Sequence, residues 1–188
     1  MSTPRNETTQ PIHDLLADRW SPRGFDANFE LDREQMRTLF EAARWSPSAF
    51  NHQPWAFISG RRGTETFQHI YDGLLGFNQA WAGRVSALII TLAQVEKDGE
   101  VNPTAHYDLG QAVAHLTFQA EALDIDVHQM TGFDRDKFEF EIPAGYEIVT
   151  VVALGRYEDS EEIPEKIRQR DASPRGRKPL EEIVLVRD

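Results

Sequence analysis

Two apolar runs constrain the fold of this chain more than any other feature of its sequence. Residues 85–92 read VSALIITL, and residues 148–154 read IVTVVAL. Continuous runs of this length, rich in β-branched residues, are typical of strands in a sheet that is covered on both faces. The rest of the chain therefore has to supply the helices that cover them.

Helical patterns with start signals occur between and around these runs. A first helix is expected to start near Thr9 or Pro11. The clearest pattern follows Asp32, a capping residue with Gln35 at the capping-box position. Thr64 can cap a third helix, and a long helix is predicted from residue 104 or 105. Helices and strands are interleaved, and no glycine-rich phosphate loop follows a strand. This order favours an α+β fold over a doubly wound dinucleotide-binding fold.

The composition is that of a globular domain with a strong negative charge. The 188 residues carry a net charge of −11, a pI near 5.0 and no cysteine. This charge disfavours nucleic acid and anionic membranes as partners, and the lack of cysteine excludes disulfides and thiolate chemistry. We expect residues 1–188 to form one domain, with 1–10 as a loose N-terminal arm. The polar N-terminus and the lack of an apolar run of about 18 residues predict a cytoplasmic protein.

Two common kinds of catalytic site lack their sequence signals. The six histidines show no i, i+4 pairing and no HExxH motif, which argues against a metal held by protein side chains. No GxSxG elbow is present, which argues against a serine hydrolase of that type.

A polar loop bounded by two prolines separates the second helix from a short strand predicted at Trp55. Residues 44–57 read RWSPSAFNHQPWAF. The hydrogen-bonding side chains between the prolines are Ser48, Asn51, His52 and Gln53. Pro47 and Pro54 fix φ at both ends and disfavour helix before each of them, so the loop is stiff. It is either a helix-to-strand connector or part of a functional site.

Basic residues cluster near both ends of this acidic chain. Arg19 and Arg23 flank Ser21, and Arg175 and Arg177 lie near the C-terminus. Arginines at a helix end have an ordinary explanation, because they complement the helix dipole. If folding brings the two clusters together, they form a site for a dianion, since guanidinium groups meet phosphate oxygens two at a time.

A turn with exposed backbone amides is predicted at residues 128–134, HQMTGFD, with Asp134 capping a brief helix. Arginines could hold a phosphate, loop atoms could contact a ring face, and amides could contact ring nitrogens. The three features together suit an aromatic heterocycle that carries a phosphate.

In five segments the chain resembles the FMN-dependent nitroreductase family over essentially its whole length. The segments, in order, are RWSPRGF (19–25), PSAFNHQPW (47–55), DLGQAVAHLTFQAEAL (108–123), HQMTGFD (128–134) and RGRKPLEEIV (175–184). The resemblance implies an α+β sandwich around a central, mainly antiparallel sheet flanked by helices. It also implies an intertwined homodimer with FMN at each subunit interface. Segment 175–188 would reach the partner subunit, where the extended apolar stretch at 183–186 would pair.

The resemblance assigns cofactor contacts to residues of this sequence. Those expected at the FMN phosphate and ribityl chain are Arg19 and Ser21, with Trp20 between them, and the basic pair Arg175 and Arg177. Arg23 is expected near the N1–C2=O edge of the flavin. Those expected to line the flavin of the other subunit are Pro47, Ser48, Ala49 and Asn51. Those whose backbone is expected near N5 are Gln129, Met130 and Gly132.

Three positions depart from the pattern of the family. Ala49 stands where many members have a second serine, and Trp81 falls where some have a lysine near the flavin. Residues 124–126 read Asp-Ile-Asp where relatives often have Gly-Leu-Gly. The first two changes affect the edge of the flavin, the third affects a surface turn, and none removes the phosphate site.

The function implied by the resemblance is that of an FMN-dependent NAD(P)H oxidoreductase with ping-pong kinetics. NADH or NADPH would be the donor, and a nitroaromatic, quinone or similar small molecule the acceptor. No catalytic side chain is assigned, because hydride transfer is the chemistry of the cofactor and needs no obligatory acid or base from the protein. The alternatives are a specialised enzyme of the same fold (oxygen-using, dehalogenating or enal-reducing) and a non-catalytic FMN-binding carrier or sensor.

Overall fold

A four-stranded antiparallel sheet forms the centre of the computed structural model, which describes residues 6–185. Its strands are β1 (Trp55–Arg61), β2 (Ala87–Gln94), β5 (Asp126–Met130) and β6 (Tyr146–Gly155), in the spatial order β1-β2-β6-β5. A small hairpin of β3 (Glu96–Lys97) and β4 (Glu100–Val101) follows β2. The helices are α1 (Asp14–Asp18), α2 (Arg33–Arg44), α3 (Glu65–Asp72), α4 (Gly76–Ala82), α5 (Ala105–Glu121), α6 (Glu165–Asp171) and α7 (Leu180–Ile183). The predicted α+β fold with an antiparallel sheet flanked by helices is confirmed.

The centre of the sheet is built from the two apolar runs. In β2 only the last residue, Gln94, is partly exposed, and β6 is buried over 151–155. The register between β2 and β6 shifts at Thr91. There the hydroxyl groups of Thr91 and Thr150 form a hydrogen bond, with their oxygens 2.8 Å apart. Both runs are therefore strands of the sheet, as predicted.

Helices cover both faces of these strands. On one face α2 and α5 pack on the sheet through residues that include Leu39, Ile89, Leu109, Leu116 and Val152. On the other face α3, α4 and α6 contribute to a core that includes Ile70, Trp81, Ile90, Val151 and Ile167. Burial of apolar surface on both sides is the main source of stability for such a sheet.

Local capping sets where the helices begin. The Asp32 carboxylate accepts the Gln35 N–H at 2.7 Å, and the Gln35 side chain accepts the Asp32 N–H at 3.0 Å, which completes the predicted capping box. Thr64 accepts the Phe67 N–H at 3.2 Å and caps α3, as predicted. The long helix α5 begins at Ala105, also as predicted.

The prediction of a turn at residues 128–134 is wrong for the first half of this segment. Residues 126–130 pair with β6 as the edge strand β5, and the chain leaves the sheet only at Thr131. A short run interrupted by polar residues carries a weak strand signal, and pairing with a distant buried strand decides its conformation. Asp134 caps a 3₁₀ turn over Arg135–Lys137, as predicted.

Two further expectations differ from the structure. The first helix begins at Asp14, later than expected. The extended C-terminal stretch expected from residue 183 is wrong at its start, since Leu180–Ile183 is helical after Pro179, with acidic residues in its first turn where they suit the helix dipole. Val186, the last residue of that predicted stretch, lies outside the described residues.

A buried histidine links the edge strand to the segment that carries Arg19 and Arg23. His128, on β5, is 6% exposed, and its Nδ1 donates to the Pro22 carbonyl oxygen at 2.8 Å, with the Ser21 carbonyl oxygen 3.2 Å away. Burial lowers the pKa of His128 from 6.5 to about 4, with the backbone carbonyls opposing this and Arg23 adding to it. The folded protein therefore holds a neutral imidazole at neutral pH.

We expect His128 to make the folded state less stable in acid. Above pH 6.5 the imidazole is neutral in both states, so its contribution is fully present. As the pH falls from 6.5 to about 4 the unfolded chain binds a proton that the folded chain does not, and about 3 kcal/mol of unfolding free energy is lost. In urea unfolding, the advantage of the wild type over His128→Gln should shrink by this amount between about pH 7 and about pH 4. An advantage that stays constant with pH would contradict the assignment.

Candidate functional site

The basic residues from both ends of the chain meet in one pocket. The pocket has a volume of about 220 Å³. It is lined by Arg19, Trp20, Ser21, Arg23, Arg170, Asp171, Ser173, Arg175 and Arg177. We call it the arginine pocket. The two basic clusters of the sequence are thus brought together, as their distribution allowed, and a further arginine, Arg170, joins them from the end of α6.

Asp171 shapes this pocket from its floor. Its side chain is 1% exposed, and Oδ2 accepts the backbone N–H groups of Arg23 and Gly24, each at 2.7 Å. The Arg23 guanidinium lies 3.4 Å from the other carboxylate oxygen. Gly24 is required here, because a Cβ at this position would lie 2.2 Å from the Glu158 carbonyl oxygen. Asp171 was not predicted as a site residue, since it lies 148 residues from Arg23 in the chain and no local pattern connects the two.

The arginines crowd each other in a way that favours an anionic ligand. Burial lowers the pKa of Arg19, and the charge of Arg177 lowers it further. The pKa of Arg175 is lowered by burial and then by Arg19 and Arg177. Burial and then Arg170 lower the pKa of Arg23, while Asp171 raises it. Positive charges that are partly buried and mutually repulsive are stabilised by a multivalent anion.

An unsatisfied donor supports the same conclusion. Arg23 Nε is buried and has no hydrogen-bond partner among residues 6–185. A buried donor without an acceptor costs free energy, and an oxyanion or a ring carbonyl oxygen would supply one. The donor set of the arginine pocket therefore fits a phosphate ester joined to a polar ring.

Two aromatic side chains lie beside the arginines. The Arg175 guanidinium stacks on Trp20 at 5.1 Å from the ring centre. Phe77, at the start of α4, has Arg170 at 4.4 Å and Arg23 at 6.0 Å from its ring centre. Cation–π contacts of this kind hold the guanidinium planes in place. Arg170 was not assigned to this site from the sequence.

The proline-bounded loop lies elsewhere in the subunit and carries unusual backbone geometry. Phe50, Asn51 and Gln53 have φ values of 51°, 58° and 51°, in the left-handed region that is costly for residues other than glycine. The turn is closed by the Ser48 hydroxyl, which accepts the Gln53 N–H at 3.0 Å. The Phe50 ring is 94% exposed. Such strain is retained where surrounding contacts hold it, often at functional sites.

The loop and the β3–β4 hairpin form a groove of about 380 Å³, which we call the loop groove. Its lining residues are Ala49, Phe50, His52, Gln94, Lys97, Asp98, Glu100, Val101, Asn102, Pro103 and Thr104. The hairpin turns at Asp98 and Gly99, both at positive φ, which is the Asp-Gly signal of a two-residue hairpin turn. This hairpin was not predicted from the sequence, although the Asp-Gly pair is a local signal for it.

The residues expected near N5 lie at and beyond the end of β5. The Met130 side chain is in the core and 6% exposed. The Gln129 amide donates to the Thr117 hydroxyl at 3.1 Å. The Gly132 carbonyl oxygen accepts the Leu75 N–H at 3.0 Å, and these residues do not line the arginine pocket.

The part of the chain that the structure describes contains neither a candidate metal site nor a helix that could span a membrane. Residues 6–185 contain no group of three or more metal-ligating side chains placed to hold a metal ion. No helix in this part is long and apolar enough to cross a membrane.

Comparison with known proteins gives one consistent result. The profile of the Nitroreductase family matches residues 16–70. Protein DrgA of Synechocystis is 30% identical over 208 residues, which cover 92% of this chain and 94% of DrgA. The Major NAD(P)H-flavin oxidoreductase of Aliivibrio fischeri is 25% identical over 231 residues, which cover 95% of this chain and 99% of that protein. The crystal structure of an oxidoreductase containing FMN matches at 31% identity with a TM-score of 0.87, over 95% of this chain and 92% of the other. The sheet order, the arginine pocket and these relatives lead to one assignment: the chain belongs to the nitroreductase family.

Proposed function

We propose that this protein is an FMN-dependent oxidoreductase that takes electrons from NADH or NADPH and passes them to a nitroaromatic, a quinone or a similar small acceptor. The observation that carries the proposal is the arginine pocket. Five arginines converge there around one aspartate in a chain whose net charge is −11. A site of this charge inside an acidic protein has a specific anionic ligand as its simplest explanation.

The residues of the pocket divide into two groups around FMN. In this proposal Arg19, Arg175 and Arg177 hold the phosphate. Their charges are close together, because after burial the charge of Arg177 lowers the pKa of Arg19, and the charges of Arg19 and Arg177 lower the pKa of Arg175. Ser21 supplies a hydroxyl beside them; its oxygen lies 3.5 Å from Arg19 Nη1. Arg23 serves the ring edge, since its Nε is buried without an acceptor among the described residues.

Bound FMN would supply the hydride and electron transfer, so the side chains need to position and stabilise rather than to exchange protons. A guanidinium at the ring edge stabilises the negative charge of the reduced cofactor. Asp171 holds Arg23 in this orientation through the backbone of residues 23 and 24.

We infer that the functional unit is a homodimer. Pro47, Ser48, Ala49 and Asn51 do not line the arginine pocket of their own chain, and we propose that they approach the pocket of the partner. The C-terminal segment supports this, because Leu180, Ile183, Val184 and Leu185 are all exposed. A series of exposed apolar side chains in one segment is typical of a protein–protein interface.

In this proposal a nicotinamide nucleotide donates the electrons and a planar small molecule accepts them. The name of the Aliivibrio fischeri relative includes NAD(P)H, which supports a nicotinamide nucleotide as the donor. We propose the loop groove as the acceptor site, because it presents the exposed Phe50 ring to a planar molecule and has a volume in the range of small-molecule sites.

A cytoplasmic location is part of the proposal and rests on the polar composition, with a mean hydropathy of −0.52.

Removal of two phosphate-binding arginines should severely weaken the binding of FMN. Purified wild-type protein should be yellow, and NADH or NADPH should bleach it anaerobically. Arg19→Ala combined with Arg177→Ala should weaken FMN binding by about 100-fold or more, because each arginine contributes a charge-assisted hydrogen bond. Flavin fluorescence titration measures the dissociation constant.

The matched control is Arg135→Ala, which removes an exposed arginine outside the pocket and should leave FMN binding unchanged. A folded double variant that retains FMN would show that the phosphate is bound elsewhere. A colourless wild-type protein that takes up no added FMN would refute the proposed function as a whole.

Charged residues in the C-terminal segment should weaken the dimer. Ile183→Glu combined with Leu185→Glu places two carboxylates in the segment that we assign to the interface, where burial of a charge is unfavourable. Sedimentation velocity should show a dimer for the wild type and a shift toward monomer for this variant. Lys137→Glu, at an exposed site in the 3₁₀ turn, controls for added negative charge. A dimer of equal affinity in the Ile183/Leu185 variant would exclude this segment from the interface.

A further inference from the structure

A buried carboxylate lies beneath the loop groove and contacts both of its walls. Asp108, in the first turn of α5, is 2% exposed. Its Oδ2 accepts the backbone N–H of Ala49 at 3.2 Å and lies 3.0 Å from the hydroxyl oxygen of Thr104. Ala49 belongs to the proline-bounded loop and Thr104 to the connection after the hairpin, and both line the groove, so one oxygen atom is shared by these two segments.

The contact to Ala49 connects the loop to a rigid element. Most other hydrogen bonds of this turn are local: Asn51 N–H to the Ser48 carbonyl oxygen, His52 N–H to the Ala49 carbonyl oxygen, and Gln53 N–H to the Ser48 hydroxyl, each at 3.0 Å. The Ala49–Asp108 bond spans 59 positions of the sequence. It ends on a 17-residue helix, which moves far less than a loop.

The second wall is held through Thr104. Its backbone N–H donates to the Asn102 side-chain oxygen at 3.2 Å, and its hydroxyl oxygen lies 3.0 Å from the same atom. The chain from Asn102 to Thr104 is therefore ordered by hydrogen bonds that lead back to Asp108. The Thr104 hydroxyl has a single proton, which can be donated to Asp108 while the Thr104 backbone N–H holds the Asn102 side chain, and such hydrogen bonds limit the distance between the groups that they join.

The strained residue follows directly after the tethered one. Phe50 adopts φ 51°, a conformation that a bulky residue keeps only where neighbouring contacts enforce it. Fixing the Ala49 amide removes one route by which the backbone could relax to a negative φ. The ring of Phe50 thereby stays directed out of the protein, with 94% of its surface exposed.

We propose that Asp108 is a positioning residue, whose buried carboxylate sets the spacing of the two groove walls and presents Phe50 to an aromatic acceptor. This inference rests on the proposed function, because it takes the loop groove as the acceptor site. Asp108 itself contacts neither acceptor nor cofactor in this proposal. What it supplies is two hydrogen-bond acceptor contacts from a protected position.

The test uses the flavin-loaded protein with nitrofurazone as acceptor. Asp108→Ala should raise the acceptor KM about tenfold while kcat stays within about twofold, because the loss is one of positioning before the chemical step. Asp108→Asn keeps an oxygen that can accept the Ala49 N–H, so its KM should stay close to that of the wild type. The FMN content should be unchanged in both variants. Asp136→Ala, which removes an exposed aspartate of the 3₁₀ turn, is the matched control.

A cycle with Phe50→Ala tests the route of the effect. If Asp108 acts through Phe50, Asp108→Ala should raise KM much less when Phe50 is already alanine. If Asp108→Ala does not fold, Thr104→Val replaces it in the same cycle, since it releases one wall and leaves the carboxylate in place. An unchanged KM in Asp108→Ala, an equal rise in Asp108→Asn, or additive effects with Phe50→Ala would each overturn the inference.

Hydrogen exchange separates this inference from the proposed function. The amide of Ala49 should exchange faster in Asp108→Ala than in the wild type, and Asp108→Asn should restore its protection, whether or not FMN is present. Unchanged exchange would overturn the role of Asp108 alone. Failure of the wild type to take up FMN would overturn the proposed function, and with it the acceptor role.

Discussion

Burial of β2 and β6 on both faces is the constraint from which the rest of the structure follows. Neither strand can face water, so α2 and α5 cover one side while α3, α4 and α6 cover the other. This arrangement brings the two arginine-bearing segments together. Phe25 pairs with Tyr157 just beyond β6, so the segment that carries Arg19 and Arg23 runs beside the chain leading to α6. The arginine pocket is thus a consequence of how the sheet is covered.

The arginine pocket is positively charged, whereas the protein as a whole is negatively charged. The chain is acidic overall, yet five arginines share one pocket with a single aspartate. Holding them together costs free energy, as the lowered pKa values of Arg19, Arg23 and Arg175 indicate, and binding of an anion would offset this cost by stabilising the folded state. Asp171 contributes in two ways, because it fixes the backbone under Arg23 and offsets part of the positive charge.

The proline-bounded loop shows how stiffness and strain can be combined in one segment. Pro47 and Pro54 limit the conformations of the loop from its two ends. Hydrogen bonds to Ser48 and Asp108 then hold the left-handed residues between them. Local restraint and a long-range tether are both needed, since prolines restrict the chain but do not choose a positive φ for Phe50.

Features that depend on nearby residues could be predicted from the sequence, and features that depend on distant contacts could not. The two apolar strands, the Asp32 and Thr64 caps and the stiff loop follow from side chains within a few positions of one another, where periodicity and capping leave a local trace. The two basic clusters could be recognised in the sequence, but only the fold shows that they lie in the same pocket. Residues 128–130 were predicted to form a turn, but they form an edge strand, because an edge strand forms only where a neighbouring strand pairs with it.

By itself, then, the sequence determined the buried strands, the helix starts and the presence of the arginines. The tertiary structure alone placed Asp171 against Arg23, which is 148 positions away, and Asp108 beneath the loop, because hydrogen bonds between distant segments leave no pattern in a single chain.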